Sequence, residues 1–194
     1  MKRKNAKRYS YIFTLILVIA VLFYLGVQSL PNIDQVLDYL QKGGIHLLKR
    51  DVKIYFSPKG GAQDALIGVI DSAKDEILVA MYYFTSRPLA QAILRAKKRN
   101  VSIRILLDES QLTEKYSKYR YLSSNGIRIR IDRRKGLMHN KFMIVDGTVL
   151  ATGSYNWTSS AEHKNRENLL IIKNKALAQR YIWEFKKLWT SSSP

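Results

Sequence analysis

The chain has 194 residues, 46% of them apolar, with 33 Lys and Arg against 15 Asp and Glu and a formal net charge of +18. That length supports one globular domain with a hydrophobic core, and the charge favours polyanionic partners, nucleic acid or anionic lipid headgroups. The lack of cysteine excludes disulfides and thiolate metal sites. Three scattered histidines, His46, His139 and His163, argue against a histidine-cluster metal centre, so no metal and no cofactor is expected.

Residues 1–8 form a basic N-terminus (Lys2, Arg3, Lys4, Lys7, Arg8) ahead of an uncharged, mostly apolar run at 9–27. As a helix that run spans ~28 Å, close to the ~30 Å hydrocarbon core of a bilayer. The preceding cations predict a cytoplasmic N-terminus and a transmembrane signal-anchor, with the following domain on the non-cytoplasmic side. The alternative is a signal peptide cleaved near Ser29, with secretion of the remainder. Residues 28–50 read as an amphipathic connector broken at Gly43-Gly44, with His46 structural or exposed.

From Asp51 to about residue 190 strands alternate with helices. "DVKIYFSP" reads as a strand, "GAQDALIGVIDSAKDE" as a helix and "ILVAMYYF" as a buried strand. A helix over Pro88–Arg99 has proline in its first turn and leads to the strand "VSIRILLDE". The tyrosine-rich "SQLTEKYSKYRYLSSNG" predicts a helix ending at Gly126. "IRIRID" alternates, with Ile127, Ile129 and Ile131 on one face and Arg128 and Arg130 on the other. "KFMIVDGTVLATG" reads as a hairpin turning at Asp146-Gly147, "ENLLIIK" as a strand and "KALAQRYIWEFKKLW" as a closing amphipathic helix; 191–194 is a short tail. The pattern is that of an α/β sandwich with helices on both faces of the sheet.

One polar segment, "HNK", opens an otherwise apolar strand, and the spacing behind it is His139-x-Lys141-x4-Asp146-x6-Gly153-Ser154-x-Asn156. On a strand, residues two apart share a face, so His139 and Lys141 project together. That pair suits a phosphodiester: lysine offers fixed positive charge to phosphate oxygens, and histidine serves as nucleophile or proton donor near neutral pH. Ser154 and Asn156 offer further hydrogen bonds to the same oxygens. Asp146, at the turn, reads as structural, either a hairpin residue or a local ion-pair partner.

This constellation resembles the HKD motif of the phospholipase D superfamily. Residues 139–156 carry the motif, and the strand–helix order over 51–190 is also similar to that family. The resemblance implies a phospholipase D-like α/β/α sandwich with a mixed central sheet and a metal-independent phosphodiesterase. In such enzymes one histidine attacks phosphorus to form a phosphohistidine, and a second protonates the leaving alkoxide and later activates water. Gly153 and Asp146 match structural positions of the motif, Lys141, Ser154 and Asn156 its phosphate-binding positions. Glu167 matches the glutamate that orients the nucleophilic imidazole. Many members carry two motifs per chain and this sequence has one. It is therefore most similar to the single-motif, Nuc-type endonucleases and their membrane-anchored relatives, which implies a homodimer sharing one active site across the twofold.

For a nuclease speak Arg128, Arg130, Arg133, Arg134 and Lys135, which run directly into His139 and offer sequence-independent phosphate binding. "KYSKYRY" interleaves rings with cations as single-strand binders do, although Leu112, Tyr116, Tyr119 and Leu122 also fit a buried helix face. For a phospholipase D acting on phosphatidylcholine or cardiolipin speak the membrane anchor and apolar Leu137-Met138. Nuclease is the favoured expectation. A membrane-tethered nucleic-acid binder without catalysis is the third reading, and the complete His-Lys-Asn set argues against it.

Overall fold

The computed structural model describes residues 51–193; the expected basic N-terminus, anchor or signal segment and connector lie outside the described residues. Its elements run β1 (Val52–Ser57), α1 (Ala62–Ser72), β2 (Glu76–Met81), α2 (Arg87–Lys98), β3 (Ser102–Asp108), a 3₁₀ turn (Glu109–Leu112), α3 (Tyr119–Ser124), β4 (Arg128–Asp132), β5 (Lys141–Val145), β6 (Val149–Gly153), α4 (Ser159–His163), β7 (Glu167–Lys173) and α5 (Lys175–Thr190).

The seven strands form one sheet in the order β1-β7-β6-β5-β2-β3-β4. β2, β3 and β4 are parallel, and the remaining pairings are antiparallel, so the sheet is mixed. β2 shows why both faces are covered. Ile77, Val79 and Met81 enter the cluster beneath α1 and α2, with Leu66, Ile70 and Ile93. Leu78 and Ala80 alternate to the opposite side and join Phe142, Ile144, Leu150 and, from α5, Phe185 and Leu188. A strand buried on both faces reads as a continuous apolar run, and each large side chain so buried contributes roughly 1.5–3 kcal/mol.

The helices start where local chemistry supplies their orphan N–H groups with acceptors. Ser86 accepts from the Leu89 N–H ahead of α2, and Asn174 accepts from the Leu177 N–H at 2.9 Å ahead of α5. The structure departs from the sequence reading in four places. β2 ends at Met81, because Tyr83 and Phe84 are drawn out of the strand by other partners, Asn156 and Gln111. The helix in the tyrosine-rich segment is only six residues long, and α4 and the 3₁₀ turn, both too short to carry a period, were not anticipated. His139 lies outside β5, whose first residue is Lys141.

Asp146 and Gly147 have φ of 49° and 62°, and the Thr148 N–H closes the turn onto the Val145 carbonyl at 3.1 Å. Two successive positive φ values are what an Asp-Gly pair supplies in a tight hairpin. The Asp146 carboxylate also accepts the backbone N–H groups of Lys74, Asp75 and Glu76 at 3.0, 2.8 and 3.0 Å, tying this turn to the start of β2. Burial pushes its carboxyl upward, but the three N–H bonds outweigh that, and its pKa lies below the ordinary carboxylate value. A depressed folded pKa gives stability that is full above the unfolded value and lost as pH falls through the folded one. Asp146→Ala should therefore cost roughly 1–3 kcal/mol near neutral pH, with the difference from wild type shrinking in acid. Urea melts across a pH series check this, and equal stability at pH 7 would contradict it.

Candidate active site

Strand directions bring the chemistry-bearing residues to one end of the sheet. β2, β3, β4 and β6 end there, and β5 and β7 begin there; the turn at Asp146 is at the opposite end. Met81 is in register with Lys141, Gly153 with Leu169, and Ser57 with Glu167. Five separate stretches of sequence thus meet at one end of the sheet.

Just beyond β2, the Tyr82 N–H donates to the Asn140 carbonyl at 2.9 Å. This extends the β2–β5 ladder and holds the "HNK" segment extended, so the two-residue period operates although His139 is not in the strand. The His139 imidazole packs edge-on against the Tyr82 ring, centroids 4.5 Å apart. The Lys141 ammonium lies 4.8 Å from the centre of the same ring and donates to the His139 carbonyl at 2.7 Å. Imidazole and ammonium are therefore gathered on one phenol. Sequence reasoning missed Tyr82, because "ILVAMYYF" reads as an unbroken buried strand. Lys141 is only 9% exposed. Burial lowers its pKa, and the negative charges of Glu167 and Asp108 act against that.

Glu167 opens β7, and its two oxygens are occupied by the Ser154 hydroxyl at 2.6 Å and the Asn165 amide at 3.0 Å. Among the described residues it makes no hydrogen bond to His139. Its side-chain hydrogen bonds are to Ser154 and Asn165, and its charge acts on Lys141. The Ser154 oxygen accepts the Asn168 N–H at 3.1 Å while donating to Glu167. The Asn156 amide oxygen accepts the Tyr83 N–H at 3.3 Å, which leaves its NH₂ group as the available donor. Gly153 has a steric reason: a Cβ there would lie 2.2 Å from the Asn168 carbonyl oxygen.

The five expected nucleic-acid contacts do not form one patch. Arg128 begins β4, opposite Arg104, at the end of the sheet away from His139. Arg130 donates to the Trp189 carbonyl and stacks on its ring at 5.0 Å. Arg134 is engaged with buried Asp132 at 2.7 Å, and its hydrogen bond holds that carboxyl below its ordinary value. Arg133 and Lys135 remain exposed at the site end. Beyond β3, Tyr116 is 64% exposed with Lys115 5.5 Å from its ring centre, whereas Leu112 and Tyr119 pack on the core and Leu122 is buried within it. Among the described residues no cluster of three His, Asp or Glu side chains is arranged to hold a metal ion, and no helix is long and apolar enough to cross a membrane.

A seven-stranded mixed sheet carrying His-x-Lys and its Ser, Asn and Glu partners at one end defines a phosphodiesterase of the α/β class. Residues 66–189 match the family described as "Cardiolipin synthase, PLD-like domain". The chain is 32% identical over 195 residues to a phospholipase D of Rickettsia conorii, covering 94% of this chain and 95% of that one. It is 37% identical over 122 residues to the mitochondrial cardiolipin hydrolase of Xenopus tropicalis, covering 63% and 58% of the two chains. The crystal structure of Nuc, a phospholipase D family member from Salmonella typhimurium, superposes with a TM-score of 0.70 at 35% identity, covering 73% of this chain and 95% of that one. The chain belongs to the phospholipase D superfamily and is a hydrolase of that superfamily.

Because Gly153 lets β7 approach, it controls where Glu167 and Ser154 stand. Gly153→Ala should displace the start of β7 and lower kcat/KM on a small chromogenic phosphodiester by on the order of 10²-fold, the scale of an ångström-sized misplacement. Steady-state kinetics on folded variant protein check this; activity within two-fold of wild type, on the order of measurement scatter, would contradict it.

Proposed function

We propose that the protein is a metal-independent endonuclease that cleaves nucleic acid through a phosphohistidine on His139. The observation that carries this reading is the placement of the His139 imidazole and the buried Lys141 ammonium on the single ring of Tyr82. Attack by the imidazole forms an N–P bond and breaks the P–O bond to the leaving alkoxide, which takes a proton from a second imidazole. That imidazole then removes a proton from water, and the resulting hydroxide breaks the N–P bond. Proton donation to the alkoxide contributes typically ~10²–10⁴ in rate. Lys141 and the Asn156 amide face the non-bridging oxygens, where charge builds in the transition state, and Glu167 holds the Ser154 hydroxyl beside them. The second imidazole is assigned to His139 of a second copy, in a homodimer sharing the centre across its twofold.

Exposed Arg133, Lys135, Lys115 and Tyr116 beyond the strands that bear the site suit a polyanionic chain with stackable bases. A second reading, a phospholipase D acting on phosphatidylcholine or cardiolipin, is favoured by two side chains: Leu137, 66% exposed two residues before His139, and Phe56, 65% exposed beside Ser57. The names of the Rickettsia and Xenopus relatives agree with that alternative. In either case residues 9–27 serve as anchor, with the catalytic domain on the non-cytoplasmic side, or as a signal cleaved before secretion.

The test sets plasmid DNA and RNA beside phosphatidylcholine and cardiolipin vesicles, all in excess EDTA. Strand cleavage should persist in chelator, and DNA binding should weaken by roughly 0.7–0.9 log units per log unit of salt for each neutralised phosphate. Replacing Arg133 and Lys135 with Gln should reduce that slope, and replacing Arg128 should not. Turnover confined to the vesicles would replace the nuclease reading with the lipid one. Loss of all hydrolysis in EDTA, restored by magnesium or zinc, would remove the mechanism.

A further inference from the structure

His139 is carried by the loop between β4 and β5, and the structure holds that loop at two backbone points on either side of it. On the C-terminal side the Asn140 carbonyl accepts the Tyr82 N–H. On the N-terminal side the Met138 N–H donates to Asp108 Oδ2 at 2.8 Å. Asp108 ends β3, is 3% exposed, and uses its other oxygen to accept the Ser110 N–H at 3.0 Å. A carboxylate so deeply buried is costly unless its lone pairs are taken by donors; here both oxygens are taken, one by the residue that precedes His139. The Met138 side chain is itself buried beneath α5's cluster, so the peptide that enters His139 is fixed from both sides.

We propose that Asp108 is a positioning residue of the catalytic centre, setting the His139 backbone through Met138 and presenting its negative charge toward Lys141. It acts on the reaction through these two residues and touches no reacting atom. The groups facing Lys141 are Tyr82 from the end of β2, Asp108 from β3, Glu167 from β7 and His139 on its own segment. Two of these are acidic, and both oppose the effect of burial on the ammonium. Burial raises the Tyr82 phenol above its ordinary value. Asp132 is the natural comparison: it is buried, in register with Asp108 on the neighbouring strand, and accepts from Arg134 at the start of the same loop instead of from the residue that precedes His139.

The inference rests on the reading of His139 and Lys141 as the centre, so the experiment includes His139→Ala. On a small chromogenic phosphodiester, Asp108→Asn should lower kcat by at least about ten-fold while KM stays within about two-fold, the pattern of a lost transition-state interaction. It removes a negative neighbour of Lys141, so the alkaline limb of kcat/KM should move to lower pH. Asp132→Asn should leave that limb in place. A kcat near wild type, or the same displacement in both variants, overturns the assignment. Should Asp108→Asn fail to fold, amide exchange in the wild-type protein decides. The Met138 N–H should exchange at least about ten-fold more slowly than those of Gly136 and Leu137, and equal rates overturn the proposal. Activity surviving in His139→Ala sinks the active-site reading itself; an inactive His139→Ala beside an unaffected Asp108→Asn sinks only the role of Asp108.

Discussion

Antiparallel pairing of β5 with β2 places Lys141 opposite Met81, and the next residue of β2's chain, Tyr82, then lies where both Lys141 and His139 must meet it. Lys141 is buried there, with its ammonium near that ring and donating to the His139 carbonyl. A lysine buried in this way is held charged by neighbours instead of by solvent. A substrate phosphate would meet a cation that carries little water to be displaced, which strengthens attraction in a low-dielectric setting.

The opposite end of the same strands explains why this register is firm. A one-residue slip of β5 against β2 would turn Phe142 and Ile144 from the α5 face to the α1–α2 face and point Met143 the wrong way. Asp146 adds a polar lock, since its carboxylate takes three N–H groups at the start of β2. One strand pair therefore carries a structural aspartate at one end and the His139–Lys141 pair at the other. That is a physical account of why an aspartate stands five residues after the lysine: five residues span the strand.

Much of this was legible in the sequence. β7 begins at Glu167 and ends at Lys173 where "ENLLIIK" does, and the hairpin turns at Asp146-Gly147, because alternation and turn chemistry are local signals. The His139–Lys141 pair was legible because a two-residue period needs only an extended backbone. What could not be read are contacts that join distant segments. Asp108 reaches Met138 across 30 residues, and Tyr82 reaches His139 only through strand pairing. The basic run 128–135 looked continuous in sequence, but β4 carries Arg128 to the far end and α5 engages Arg130, so proximity along the chain overstated proximity in space.

In the proposed dimer one chain holds half of a reaction centre, with one motif histidine where the proposed chemistry uses two. That sharing is tested most directly by mixing wild-type and His139→Ala subunits with verified exchange, using two tags on co-expressed protein. Random pairing of a twofold dimer leaves a fraction equal to the square of the wild-type share fully competent, so an equal mixture should keep about one quarter of wild-type activity. A linear decline, with about half retained, would contradict the shared centre. It would place the proton donor within the same chain, where His163, in the β6–β7 connection at the same end of the sheet, is the histidine to replace next.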